Sequence, residues 1–214
     1  MEAASFPEGF QRVTEALAAL GHPHAPRWLE VSARTSQEAA DALGIHVGQI
    51  AKSVIFRLVS DAADVAGAAD AASAAGAAGT AGAAGAAGAA GAAGAAERTG
   101  ATGAPTAVLV VTSGDKRVDE QRVAALVCQG GVRLGRADAG FVKAATGFSI
   151  GGVAPLAHAG PVLTLIDREL FRFEEIWAAA GHPNGVFKLA PSDLVRLTGG
   201  APVADVVQRA EGTA

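Results

Sequence analysis

Between Asp61 and Pro105 the chain is almost entirely alanine and glycine, and from Gly76 to Gly94 a glycine recurs at every third position. Alanine alone would favour helix, but a glycine in each turn costs about 0.8 to 1 kcal/mol relative to alanine, which makes a stable helix unexpected. Collagen shares the period of three, yet the intervening proline is missing and the run is too short for a triple helix. The repeat carries no large apolar side chain with which to join a core, so 61–105 is predicted to be a disordered, low-complexity insertion. It divides the 214 residues into 1–60 and 106–214, which together suit one compact domain of about 165 residues. A domain of that size can bury a core without disulfide or metal staples.

The flanking segments carry ordinary folding signals. Val13, Leu17 and Leu20 stand at helical spacing within Phe10 to Leu20, which Gly21-His22-Pro23 stops. Arg27 to Val31 reads as a short strand, and Thr35-Ser36-Gln37-Glu38 has the form of a capping box opening a helix that ends at Gly44. Ile50 to Val59 and Thr106 to Thr112 are β-branched, apolar runs predicted to be strands. Because the insertion joins them, the two strands are expected to be antiparallel neighbours, loop-closure entropy growing slowly enough to tolerate its length. Asp119 is a plausible N-cap for a helix from Glu120 to Cys128. An irregular segment is expected through Gly152, then a strand at Val162 to Ile166, a short helix around Phe171 to Ala180, a strand near Val186 to Leu189, and a closing helix from Pro191. The fold class is therefore α+β around a mixed sheet.

Two features could carry chemistry. Lys52 shares a strand face with Ile50, Val54, Phe56 and Leu58, a face that should point inward. Burying an unpaired ammonium is costly, so Lys52 either snorkels to solvent or serves as a cation for a phosphate, carboxylate or ester carbonyl. Thr146-Gly147-Phe148-Ser149-Ile150-Gly151-Gly152-Val153-Ala154-Pro155 has paired glycines that permit close backbone approach and a proline that fixes the exit. It is either a tight connection or a loop that aims amide N–H groups at an anion or oxyanion.

Other chemistries find little support. The five histidines show no ligand-pair spacing, no Gly-x-Ser-x-Gly elbow is present, and the glycines fit neither a P-loop nor a dinucleotide fingerprint. No metal and no cofactor is predicted. The cluster Asp115 to Glu120 reads as a solvated turn and cap, and Asp167 as a turn residue at a strand end that could border a cleft. The one cysteine, Cys128, cannot form an internal disulfide and is expected to be a buried small hydrophobe. A net charge of −4 gives no global attraction to nucleic acid, so DNA is not an expected partner and any RNA contact must be local. The N-terminus lacks a signal pattern and no apolar run is long enough to span a bilayer, so a cytoplasmic location without membrane association is expected.

Taken together, Val47 to Phe56, Val111 to Asp119 and Gly147 to Pro155 resemble the YbaK/ProX family of aminoacyl-tRNA deacylases, related to the prolyl-tRNA synthetase editing domain. Order and spacing agree once the insertion is excised, and Leu165-Ile166-Asp167 and Leu189 to Leu194 extend the likeness. The resemblance implies a single domain with a mixed, mainly antiparallel curved sheet flanked by helices. It implies a trans-acting hydrolase that cleaves the ester of a mischarged tRNA, using the substrate's own ribose hydroxyl and no metal. The partner is then the 3′ aminoacyl end of tRNA, with an aminoacyl-tRNA synthetase as a second candidate. The family's lysine falls on Lys52 and its Gly-x-x-x-Pro loop on Gly151, Gly152 and Pro155, the expected catalytic set. Phe148, Ser149 and Ile150 would shape the side-chain pocket, with Ser53, Phe56, Thr146 and Asp167 completing the expected substrate-binding residues. Alternatives are a non-catalytic module that binds aminoacyl-tRNA or a synthetase, or an esterase for another small aminoacyl ester.

Overall fold

The computed structural model describes residues 6–60 and 106–208; the predicted insertion at 61–105 lies outside the described residues, apart from which the elements follow in chain order. Helix α1 (Glu8–Ala19) buries Phe10, Val13 and Leu17, and strand β1 (Arg27–Trp28) follows. Helix α2 (Ser36–Leu43) opens on the expected capping box. Thr35 accepts from the Glu38 amide, the Glu38 carboxylate accepts from the Thr35 amide, and Gly44 closes the helix in the left-handed region at φ +68°.

Strands β2 (Ile50–Ser60) and β3 (Thr106–Ser113) are antiparallel neighbours, paired from Ala51 opposite Ser113 to Leu58 opposite Thr106. Helix α3 (Glu120–Val127) is capped by Asp119, whose carboxylate accepts from the Gln121 and Arg122 amides. Cys128, expected to be buried, is half-buried just beyond α3, and desolvation pushes its thiol up from the usual value.

Two stretches depart from the sequence-based expectation. The segment read as irregular holds strand β4 (Val132–Arg136) and helix α4 (Ala139–Thr146), the latter capped by Asp138. Arg133, Gly135 and Arg136 dilute the apolar pattern of β4, and α4 spans only two turns, so neither has a strong periodic signature. After β5 (Val162–Asp167), the region expected to be helical is a 3₁₀ turn (Arg168–Arg172) followed by strand β6 (Ile176–Ala179). Ile176, Trp177 and Ala178 are all buried, and an apolar run covered on both faces has no period with which to tell strand from helix. Strand β7 (Gly185–Leu189), helix α5 (Pro191–Leu197) and strand β8 (Val203–Ala204) complete the described residues.

The strands form one mixed sheet in the order β1-β7-β6-β2-β3-β5-β8, with β4 also paired to β2. One face packs Ala51, Leu109, Val111 and Ile166 against α1, α4 and α5. The other packs Phe56, Val108, Val110 and Leu165 against Val123 of α3. A third cluster sits beneath α2. Among the described residues, no helix is long and apolar enough to cross a membrane.

The edge of β2 that faces away from β3 is shared by two strands. Strand β6 pairs there with Ile50 and Ala51, and β4 with Phe56 to Ser60. Among the described residues, 52–55 between them have no strand neighbour on that side, so the sheet is split there.

Candidate active site at the split in the sheet

A cavity of about 710 Å³ opens at this split, lined by the β2 segment Ala51 to Ile55, by Ala178 and Ala179 of β6, and by Ala137 just after β4. Backbone groups along a strand edge without a neighbour are available to a ligand, as they would be to another strand. Lys52 stands at the start of this open edge, half-buried, and its Nζ donates to the Lys116 carbonyl at 2.7 Å. Desolvation lowers its pKa from the ordinary lysine value; the Asp115 carboxylate opposes that shift and the Arg117 guanidinium adds to it.

The turn beyond β3 is held by charge. Arg172 Nη2 lies 2.6 Å from both Asp115 oxygens and donates to Ser113 Oγ at 2.9 Å. Lys116 pairs with Glu169 at 3.3 Å, and Glu169 with Arg172 at 3.4 Å. Burial alone would raise the Asp115 carboxyl, but hydrogen bonds from Arg172 and Ser113 and the neighbouring cations bring it below the usual carboxylate value. The network ties the Lys116 carbonyl, and hence Lys52, to the 3₁₀ turn.

The loop after α4 forms the opposing wall. Arg12 reaches across to it, donating through Nε to the Ala157 carbonyl at 2.9 Å and stacking 4.4 Å over the Phe148 ring. The Gly152 amide donates to the Ser149 carbonyl at 3.0 Å, which closes a turn, and Gly151 takes φ +89°. A Cβ on Gly152 would lie 2.7 Å from the His182 main chain, so only glycine fits there without displacement. His158 Nε2 donates to the Ala154 carbonyl at 2.8 Å and supports the loop from behind, its pKa lowered chiefly by burial. Gly151 and Val153 both line the cavity, and their amides have no hydrogen-bond partner among the described residues. Val153 is buried and Gly151 is exposed at the mouth, and a buried amide without a partner is uncommon in native structures.

Of the residues singled out from sequence, Lys52, Ser53, Ile150 and Gly151 meet on the cavity wall. The Ser53 hydroxyl is buried there without a partner among the described residues. Gly152 and Pro155 are buried behind the wall, and Ser149 is exposed. The remaining four do not reach the main cavity. Phe148 is 1% exposed in the core, and Thr146, fully buried, donates to the Val142 carbonyl and accepts from the Phe148 amide. Phe56 packs into the cluster around Val123, and buried Asp167 accepts from Thr112 Oγ1 at 2.7 Å and from the Glu169 amide at 3.3 Å. Arg34 and Asp115 also line the cavity. Nothing in the sequence flagged Arg34, and Asp115 read as a turn. No group of three His, Cys, Asp or Glu side chains among the described residues is arranged to hold a metal ion.

A family model for an aminoacyl-tRNA editing domain matches residues 62–197. The chain belongs to this editing-domain family. The matched segment carries the loop wall of the cavity and begins ten residues beyond Lys52, which lines the same cavity from β2. A proposed trans-editing enzyme for prolyl-tRNA synthetase, of known crystal structure, aligns with this editing domain at 31% identity and a TM-score of 0.67. The alignment covers 96% of this chain and 100% of the other. The hypothetical protein APE2540 shares the fold, with a TM-score of 0.63 at 24% identity over 92% of this chain and 99% of its own. Among curated proteins, uncharacterized YwhH of Bacillus subtilis (strain 168) is 24% identical over 165 residues, 77% of this chain and 75% of YwhH.

Proposed function

We propose that this editing domain is a trans-acting deacylase that hydrolyses the ester joining a wrong amino acid to the 3′-terminal adenosine of a tRNA. The observation that carries the proposal is the pairing, across one cavity, of the half-buried Lys52 ammonium with the unpartnered Gly151 and Val153 amides. An ester hydrolase needs donors aimed where the carbonyl oxygen becomes an oxyanion, and fixed amides in a partly dehydrated site meet that need without reorganising. Gly152, whose amide is taken by Ser149, serves instead as the residue that lets the turn approach His182. Lys52 holds an oxygen of the terminal nucleotide or of the aminoacyl group. Water attacks the carbonyl carbon with the neighbouring ribose hydroxyl relaying the proton, the ester C–O bond breaks, and free amino acid and the tRNA 3′ terminus leave. The partner in this reading is the mischarged tRNA, and the amino acid is selected by fit against Ile150 and Val153.

Deacylation of a panel including Cys-, Ala- and Ser-tRNA by the parent and by Lys52→Ala tests the proposal. Selective acceleration by the parent, reduced about a hundredfold or more in a folded variant, is the expected result. A folded parent that leaves every aminoacyl-tRNA at its spontaneous rate would refute it and favour a binding module. Equal hydrolysis of simple aminoacyl esters and of tRNA would favour a small-ester esterase.

A further inference from the structure

A second, smaller groove borders the main cavity at the split in the sheet. That groove, of about 380 Å³, shares Lys52, Val54, Ile55 and Ala137 with the first. The two cavities therefore adjoin along this stretch of β2.

The second groove is basic. Arg136 ends β4 directly opposite Phe56, on the β2 face that carries Lys52 and Val54. Arg117 enters from the turn after β3, and its backbone is held by the segment after β8: the Gln208 amide donates to its carbonyl at 2.9 Å and Val118 bridges Val207. Three cations, Lys52, Arg117 and Arg136, line the groove against one carboxylate, Glu120. Neither Arg117 nor Arg136 has an ion-pair partner among the described residues, and Arg117 is close enough to Lys52 to depress its pKa. Like charges gathered beside a concave surface, in a protein of net charge −4, mark a place where an anion would relieve their repulsion. Guanidinium groups match phosphate oxygens in geometry.

The geometry points to Arg117 and Arg136 as a phosphodiester-binding subsite that holds the RNA strand leading to the ester while the ester itself lies in the main cavity. This subsite rests on the proposed deacylase reading for its biological substrate. Its role is confined to binding, since both arginines line only the second groove and neither lines the cavity of Gly151 and Val153. Both are exposed, so their replacement leaves the core intact.

The test compares the full chain with the double variant Arg117→Gln/Arg136→Gln and with Arg168→Gln, which removes an exposed cation paired with Asp205 elsewhere. The probe is a fluorescent single-stranded 12-nucleotide RNA ending in CCA, its affinity followed by anisotropy as salt is varied. The double variant is expected to bind roughly tenfold more weakly at low salt, with a log-log salt slope smaller by about 1.4, the value for two phosphate contacts on a single strand. Arg168→Gln is expected to match the parent. In deacylation, the double variant should raise KM for mischarged tRNA with kcat retained, and hydrolyse a 3′-aminoacyl adenosine without phosphate as the parent does. An affinity and slope equal to the parent's, an equal loss in Arg168→Gln, or no binding of the RNA by the parent would each overturn the subsite. A parent that binds the RNA through the two arginines but hydrolyses no aminoacyl-tRNA would retain the subsite and remove the deacylase reading.

Discussion

Asp167, at the end of β5, shows how burial decides the role of a single side chain. Its carboxyl is fully buried, and desolvation raises its pKa against the hydrogen bonds from Thr112 and the Glu169 amide. Asp167→Ala leaves the buried Thr112 hydroxyl without its acceptor, so a loss of about 1–3 kcal/mol in urea unfolding is expected. An unchanged midpoint would show that Thr112 finds another acceptor. His158 offers a pH-dependent counterpart. Its pKa is lowered from 6.5, first by burial and further by Arg12, against the bond to Ala154. The folded state thus binds the proton less readily than the unfolded chain, and stability must fall as pH drops from 6.5 toward the lowered value. His158→Gln keeps a donor for the Ala154 carbonyl but does not titrate. Unfolding midpoints between pH 7.5 and 5 are therefore expected to fall less steeply in the variant, and parallel profiles would assign the slope to other groups.

At the scale of the element, the loop from Gly147 to Pro155 combines two different demands for glycine. Gly151 needs its positive φ but has room, the nearest atom to an added Cβ being 3.7 Å away; Gly152 has no positive φ but meets the His182 main chain at 2.7 Å. Gly151→Ala should cost about 1–2 kcal/mol from backbone strain. Gly152→Ala should cost about 1–3 kcal/mol and push the His182 backbone aside. Trp28 stacks on the His182 ring at 4.8 Å, so tryptophan emission should shift in Gly152→Ala and stay constant in Gly151→Ala. A shift in both variants, or in neither, would contradict this division.

At the scale of the whole molecule, β2 and β3 pair in continuous antiparallel register over residues 51–58 and 106–113. We expect 61–105 to be dispensable to the domain. Replacing it with a Gly/Ser linker of about six residues should leave deacylation unchanged and stabilise the fold by on the order of 1–2 kcal/mol through a shorter loop closure. Loss of cooperative unfolding or of activity would instead make the segment part of the domain.

Much of this was legible in the linear sequence because the signals are local. The capping box at Thr35, the αL glycine at Gly44, the β-branched runs of β2 and β3, and the Asp119 cap each depend on residues within a turn of one another. Alternation along β2 correctly put Lys52 on the face of Val54 and Phe56, and the combined motifs pointed to the editing-domain family. Alternation specifies which face a side chain takes, but not what covers that face or what lies along the strand edge. It could not tell that Phe148 turns into the core beneath Arg12, that the run Ile176 to Ala179 pairs as β6, or that Arg136 arrives opposite Phe56. The cavity itself exists because β6 and β4 claim opposite ends of one strand edge and leave 52–55 between them. That division is set by pairings between segments more than seventy residues apart, which no local pattern encodes.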